Sequence, residues 1–148
     1  MRKKSKYKPK PVYLDAMAFV QSGMKPLAKV GQELVKLRII NHDALLALVQ
    51  GRATFEDMNT LIEAGNMCEA FAHQGIGSDW TAEIRAGQDG LLAVAQRSKW
   101  VGKGLELAAI RELIEVHDAQ LDVVTVTQTE RAFAHIREVK RNKRARKI

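Results

Sequence analysis

The apolar spacing of two long stretches constrains the fold more than any other feature of this sequence. In the first stretch, one asparagine and six apolar residues recur every three or four positions: Leu27, Val30, Leu34, Leu37, Asn41, Ala44 and Leu48. The second stretch repeats this spacing through Leu107, Ile110, Ile114, His117, Leu121 and Val124. Such spacing is typical of helices that pack along one stripe. We therefore expect two long helices, one over 26–50 and one from about residue 105 onward, that pack against each other.

Helix-start and helix-stop signals divide the first half of the chain into further elements. A short helix is expected over 15–22, and Gly51 follows the 26–50 helix in the position that a glycine C-cap takes. The next helix begins after Thr54, because its hydroxyl can cap the helix and Asp57 lies three residues further on. It ends before the loop formed by residues 75–77.

The second half shows the same signals. One helix starts at Ser78 or Asp79 and ends near Ser98, and a glycine-flanked loop at 102–104 separates it from the long second stretch. A capping box of Thr127 and Glu130 is expected to open the last helix. This last helix is expected to turn its apolar residues inward: Phe133, Ile136 and Val139.

Two glycines lie on the predicted apolar faces of helices. Gly65 and Gly87 each cost roughly 1 kcal/mol of helix stability relative to alanine. Their placement on these faces indicates that neighbouring helices approach closely there.

These signals predict an all-α fold. The chain has 148 residues, the usual size of one domain, and is 46% apolar, enough for a continuous core. We expect a single-domain bundle of about five to six helices with a basic, extended N-terminal arm and a basic helical C-terminus. The boundaries are an arm over 1–11, a helical body over 12–139 and a tail over 140–148.

Charge is concentrated in the arm and the tail. Of 24 Lys and Arg residues, six fall within 2–10 and seven within 137–147, whereas the segment 11–136 has 11 basic and 16 acidic residues and a net charge of −5. The net charge of +7 therefore comes from the two end segments, and such segments attract polyanions.

The end segments are the candidate nucleic-acid contacts. Lys and Arg can neutralise phosphates, and a tyrosine among them can stack on bases. The expected contact residues are Arg2, Lys3, Lys4, Lys6, Tyr7, Lys8, Lys10, Arg137, Lys140, Arg141, Lys143, Arg144, Arg146 and Lys147. Binding by such residues is salt-sensitive and mostly independent of sequence. The same residues could instead keep the protein in solution or dock on an acidic protein.

The helical body is not expected to read DNA bases. The helix over 54–73 could serve as the second helix of a helix-turn-helix, but its surface residues are acidic: Glu56, Asp57, Glu63 and Glu69. An acidic face does not enter the major groove.

No motif supports catalysis or a cofactor. The chain lacks a His-Glu-x-x-His motif and a Gly-x-Ser-x-Gly nucleophile elbow, and the single cysteine, Cys68, excludes both a zinc knuckle and a disulfide framework. We therefore expect no enzyme activity, no metal and no cofactor. The least favoured alternative is a small metal-dependent hydrolase with carboxylates at Glu115, Asp118 and Asp122.

A His-Asp-Ala triplet occurs twice, at 42–44 and at 117–119. Shared helical periodicity explains this echo more simply than a duplicated hairpin does. For His117 we expect a core position in which a neighbouring side chain satisfies the imidazole.

No membrane association is expected. Apolar runs such as 44–49 are far shorter than the ~20 residues that a membrane-spanning helix needs, and no apolar segment directly follows the N-terminal charges as in a secretory signal. A single free cysteine also suits a reducing compartment. The expected location is the cytoplasm.

Several segments together resemble uncharacterised small basic helical proteins of proteobacterial phages and prophages. The resemblance rests on Lys8-Pro9-Lys10-Pro11-Val12, Asn41-His42, Ala47-Leu48-Val49-Gln50-Gly51, Gly75-Ile76-Gly77, Glu83-Ile84-Arg85-Ala86-Gly87-Gln88-Asp89 and Glu115-Val116-His117-Asp118-Ala119-Gln120-Leu121. It implies a protein that acts in the bacterial host cytoplasm and manages DNA or binds a host or phage protein.

The expected function is therefore sequence-independent contact with nucleic acid through both basic ends, with a helical body that self-associates or binds a partner. The alternative is an interaction module or inhibitor that docks on an acidic host protein.

Overall fold

The computed structural model describes residues 32–142, with side chains from Leu34 onward. Five α-helices and one short 3-10 helix follow one another in this range: α1 Gln32–Val49, α2 Phe55–His73, the 3-10 helix Ser78–Trp80, α3 Thr81–Ala95, α4 Gly104–Leu121 and α5 Val126–Arg141. This architecture confirms the predicted all-α bundle. The basic arm over 1–11, the short helix over 15–22 and the residues beyond Asn142 lie outside the described residues.

The signals predicted at the junction of α1 and α2 are confirmed. Gly51 follows α1 with a φ of 71°, a left-handed conformation that favours glycine because it has no Cβ. Thr54 and Asp57 form a full capping box: the Thr54 hydroxyl accepts from the Asp57 amide at 3.3 Å, and the Asp57 carboxylate accepts from the Thr54 amide at 2.8 Å. The loop at 50–54 therefore satisfies the first amides of α2 with local side chains.

The predicted cap of the last helix is wrong by two residues. α5 is capped by Thr125 and Gln128, whose amides and side chains exchange hydrogen bonds of 3.2 and 2.9 Å. Thr127 and Glu130 lie inside the helix instead. Both pairs match the capping pattern, since Gln serves at the third position as well as Glu does, so the pattern alone does not choose between them.

The two long helices pack against each other as predicted, but neither is the other's main neighbour. α4 packs most extensively against α3, while α1 packs mainly against α2 and only along a narrower seam against α4. α3 and α4 are neighbours because a short loop joins them and Arg97 in that loop donates two hydrogen bonds to Glu106, at 2.8 and 2.7 Å. That glutamate also accepts from the Lys103 amide at 2.9 Å, which fixes the start of α4.

The close approach predicted at two glycines is confirmed. A Cβ on Gly87 would lie 2.4 Å from Cβ of Leu113 and 3.0 Å from the carbonyl oxygen of Ala109, so α3 and α4 can touch only if this position is glycine. A Cβ on Gly65 would lie 3.3 Å from Cδ2 of the same leucine. Leu113 thus fills the gap that two glycines leave between α2, α3 and α4.

The core consists of two clusters. The larger cluster contains residues from α1, α2, α3 and α4. Four of its members are fully buried: Leu48, Leu61, Val94 and Ile110. The smaller lies beneath α5 and contains Leu34, Phe71, Leu121, Val124, Ala132 and Ile136. Of the predicted α1 stripe, the structure buries Leu34, Asn41, Ala44 and Leu48. It leaves Leu37 39% exposed, which corrects that position. Leu27 and Val30 of the stripe lie outside the described residues.

Candidate functional site

α5 carries the described part of the predicted nucleic-acid contacts, which is Arg137, Lys140 and Arg141. α5 packs against α2 and buries Ala132 and Ile136 on that side. Arg137 and Arg141 lie one turn apart on the exposed side. Cationic residues in the last turn also complement the negative end of the helix dipole. Both guanidinium groups are thus displayed where α5 leads into Lys143, Arg144, Arg146 and Lys147.

Phe133 completes this face, which corrects its predicted inward position. Its ring is 49% exposed and lies one turn before Arg137, so that Phe133, Arg137 and Arg141 form one row at a spacing of four residues. We call these three residues the α5 row. The small Ala132 takes the inner position instead, because it lets α5 approach the α2 surface closely. A prediction based on apolar size alone places the larger Phe133 inward and overlooks Ala132.

Lys140 is placed differently from its two arginine neighbours. Its ammonium group forms an ion pair with Glu63 of α2, with 2.9 Å between Nζ and Oε1, and both side chains are about half-exposed. Exposed pairs of this kind contribute at most about 1 kcal/mol. Lys140 therefore contacts α2, although its side chain is about as exposed as that of Phe133.

The other predicted contact residues fall outside the described residues. These are Arg2, Lys3, Lys4, Lys6, Tyr7, Lys8, Lys10, Lys143, Arg144, Arg146 and Lys147. The structure therefore brings together only the three cationic residues on the last part of α5.

Side-chain contacts at the C-terminal end of α2 hold α5 on it. The side-chain amide of Gln74 donates to the carbonyl oxygen of Gln128 at 2.8 Å, and the rings of His73 and His135 stack with centroids 4.3 Å apart. These contacts fix the direction of the exposed row relative to the bundle.

A groove of about 580 Å³ runs between α2 and α3 and reaches the end of α5. Its floor is apolar, and Phe55 and Trp100 stand at one end with ring centroids 6.4 Å apart. Arg85, Glu63 and Lys140 lie along its rim. Such a groove can hold an apolar side chain or a short helix, and its mixed rim charge selects neither anions nor cations.

A polar cluster joins α1 to α4. His42 Nε2 lies 2.6 Å from a carboxylate oxygen of Asp118, and the Arg38 guanidinium pairs with Asp122 while donating to the Asp118 carbonyl at 3.1 Å. The two aspartates proposed for a hydrolase site are thus engaged by Arg38 and His42 of α1. Because His42 belongs to one His-Asp-Ala triplet and Asp118 to the other, the cluster also places the two triplets in contact.

Beneath this cluster lie two buried polar side chains. Asn41 and His117 are each 1% exposed, and among the described residues Nδ2 of Asn41 and Nδ1 of His117 have no hydrogen-bond partner. Burial lowers the pKa of His117 to about 4, with the Arg38 charge acting in the same direction and the Asp118 charge opposing it. His117 is therefore neutral at pH 7. It stacks on Phe71 with centroids 6.3 Å apart and occupies the core position expected of it. The expected hydrogen bond from a neighbouring side chain is absent at Nδ1 among the described residues, which corrects that part of the prediction.

The arrangement offers no described nucleophile or metal centre. Burial raises the pKa of the Cys68 thiol, which donates to the Leu113 carbonyl at 3.6 Å and stays protonated. Within residues 32–142 no group of three His, Cys, Asp or Glu side chains is placed to hold a metal ion. The helices in this range also include none that is long and apolar enough to cross a bilayer.

Comparisons of the chain with protein-family models, with curated proteins and with solved structures find no match. The functional argument therefore rests on the chain's own geometry.

Proposed function

We propose that this protein is a non-enzymatic nucleic-acid-binding protein of the bacterial host cytoplasm that contacts the phosphate backbone largely without regard to sequence. The observation that supports this most directly is the α5 row, in which an exposed aromatic ring and two exposed guanidinium groups follow one line along a helix. Four further basic residues follow α5 in the sequence.

The chemistry of the row suits a strand of phosphates. One helical turn rises about 5.4 Å, close to the spacing of successive phosphates in an extended strand, so Arg137 and Arg141 can each reach a phosphate. Guanidinium groups bind phosphate oxygens in a bidentate manner. An exposed ring such as Phe133 can stack on a base of a single strand, and stacking tolerates any base.

The acidic body limits how nucleic acid binds. Residues 32–142 contain 12 basic and 16 acidic residues, a net charge of −4, so most of the bundle surface repels phosphate. Binding is therefore confined to the basic ends and the α5 row, which favours backbone contact over base reading in a groove.

The test measures affinity for random 30-nucleotide single strands and duplexes between about 50 and 300 mM salt, by fluorescence anisotropy. We expect affinity to fall steeply with salt. Replacing two phosphate contacts in R137Q/R141Q should reduce the slope of log affinity against log salt by about 2 for duplex. Removing residues 1–10 and 143–148 should reduce it further.

A matched control carries the same loss of charge elsewhere on the surface. Arg131 lies on another side of α5 and Arg111 on α4, and both are exposed. The variant R111Q/R131Q should keep the wild-type slope. Phe133→Ala should weaken single-strand binding about tenfold and leave duplex binding nearly unchanged, because only unpaired bases can stack on the ring.

Two results would argue against the proposal. Equal slopes for R137Q/R141Q and R111Q/R131Q would show that the α5 row is not a contact surface. The second result is tight binding of poly-glutamate without salt-sensitive binding of either nucleic acid. It would show that the basic segments bind an acidic protein partner, which is the alternative that the sequence left open.

A further inference from the structure

α1 carries a second apolar stripe that faces away from the core. We call it the outer stripe; its members are separated by four, three, four and three residues: Val35, Ile39, His42, Leu46 and Val49. The four aliphatic side chains are 57%, 54%, 48% and 39% exposed in that order, and the His42 side chain is 49% exposed. α1 also buries Leu34, Ala44 and Leu48 on its inner side. A helix that is apolar on both sides is normally covered on both sides.

The spacing of the outer stripe matches that of a helix that packs against another helix. The spacings of four, three and four residues between Val35, Ile39, His42 and Leu46 read the same in both directions, so two copies of this part of the stripe fit each other when the helices run antiparallel across a two-fold axis. With the axis between Ile40 and Asn41, Val35 packs against Leu46 of the second copy and Ile39 against His42 of the second copy. The stripe is about 21 Å long at a rise of 1.5 Å per residue.

The charges beside the stripe fit the same arrangement. Lys36 and Asp43 are both exposed and lie on one edge of the stripe, seven residues apart. The antiparallel register brings Lys36 of each copy near Asp43 of the other, so opposite charges meet twice. A shift of the axis to residue 44 would instead place Asp43 beside Asp43.

We propose that the outer stripe of α1 is the interface of a homodimer in which the two α1 helices pack antiparallel across a two-fold axis. One exposed helix face supplies an interface at the small end of the range for stable complexes, about 1,200 Å² in total, so the dimer dissociates on dilution. The dimer would place two α5 rows on one particle. The dimer can be tested independently of nucleic-acid binding, because dimerisation is measured in the absence of nucleic acid.

The test compares the sedimentation of the full chain and two single variants from about 1 to 300 µM. Ile39 and Ile40 are adjacent and equally exposed at 54%, but only Ile39 lies on the outer stripe. The wild-type chain and Ile40→Glu should convert from monomer to dimer over this range. Ile39→Glu should stay monomeric at the highest concentration, with an unchanged far-ultraviolet dichroism spectrum and melting temperature.

Disulfide formation tests the orientation of the helices. The native Cys68 is buried and does not compete. An equimolar mixture of Val35→Cys and Leu46→Cys should form the mixed disulfide-linked dimer under mild oxidation. Each variant alone should form little, because the two copies of position 35 lie about 16 Å apart along the axis.

Three results would overturn the proposal. A wild-type chain that stays monomeric at about 300 µM would show that another segment, such as residues 1–31, covers the stripe or that water does. Equal loss of dimer in Ile39→Glu and Ile40→Glu would show that the interface lies on another face. Efficient disulfide formation by Val35→Cys alone would show parallel helices.

Discussion

The two sides of α4 make different kinds of contact with the neighbouring helices. Towards α3, Leu113 sits against Gly87 so closely that a Cβ on the glycine would lie 2.4 Å from the leucine Cβ. Towards α1, the contact is polar: His42 and Arg38 reach across to Asp118 and Asp122. One helix thus meets one neighbour through close apolar packing and another partly through polar and ionic contacts.

This difference indicates that the apolar contacts of α4 contribute mainly to stability and that its polar contacts help to fix how the helices are positioned. Close apolar packing contributes both desolvation and dispersion energy. The polar side carries a cost, since Arg38, Asn41, His117 and Asp118 each include one buried polar atom that has no hydrogen-bond partner among the described residues. Polar seams of this kind can fix the register of a helix at the expense of stability. We expect α4 to hold α3 firmly and to hold α1 in one position.

The largest effect is expected on the α3 side. Leu113→Ala should lower the free energy of unfolding by about 3 to 5 kcal/mol, because the leucine is fully buried and the two glycines beside it cannot fill the cavity. Urea denaturation measures this. Leu105→Ala removes the same atoms from α4 at a site that is 89% exposed, and should change stability by less than about 0.5 kcal/mol. Similar losses for both variants would contradict the close packing.

A somewhat smaller effect is expected on the α1 side when the pH falls. The pKa of His117 is about 4 in the folded chain and about 6.5 when unfolded, so the unfolded chain binds more protons between these values. Stability from this group is complete above pH 6.5 and is lost as the pH falls to 4, by up to about 3 kcal/mol. Urea denaturation at pH 7.0, 5.5 and 4.5 should show this loss.

His117→Phe isolates the contribution of the buried imidazole, because it keeps a ring against Phe71 but cannot bind a proton. Stability of this variant should fall less than that of the wild-type chain between pH 7.0 and 4.5. Parallel curves for the two proteins would show that other groups cause the acid sensitivity.

The smallest effect is expected at Asn41. Asn41→Leu replaces a buried amide whose Nδ2 lacks a described partner with an apolar side chain, so the unfolding free energy should rise by up to about 1 kcal/mol. Gln50→Leu, at an exposed position just after α1, serves as the control and should change stability little. A loss of more than about 2 kcal/mol in Asn41→Leu would mean that the amide is satisfied and holds α1 in place.

Much of the fold could be predicted from local patterns, and the errors occurred where several patterns competed. Thr54 and Asp57 stand alone as a cap, and that prediction is confirmed. Two overlapping capping patterns occur at the start of α5, and the one with Thr125 is used. The inward position predicted for Phe133 is wrong for a related reason, because apolar size favours Phe133 while close packing on α2 selects Ala132.

The candidate site was only partly visible in the sequence. The concentration of Lys and Arg near both ends is a matter of composition, and Arg137 and Arg141 were predicted from it. The cluster of Arg38, His42 and Asp118 was not predicted, because its members are separated by about 80 positions and meet only when α1 packs on α4. A histidine and an aspartate that recur in two triplets were the only signal.

The sequence by itself determined that the chain forms helices, where most of them begin and end, and that positive charge gathers at its ends, because capping, periodicity and charge are local properties. Only the tertiary structure decided which helices are neighbours and which residues of each helix are exposed. Those outcomes depend on contacts between residues far apart in the chain, where a glycine such as Gly87 lets one pair of helices approach more closely than another. In the described part of the predicted basic helical end, the structure places one row on the exposed side of α5: Phe133, Arg137 and Arg141.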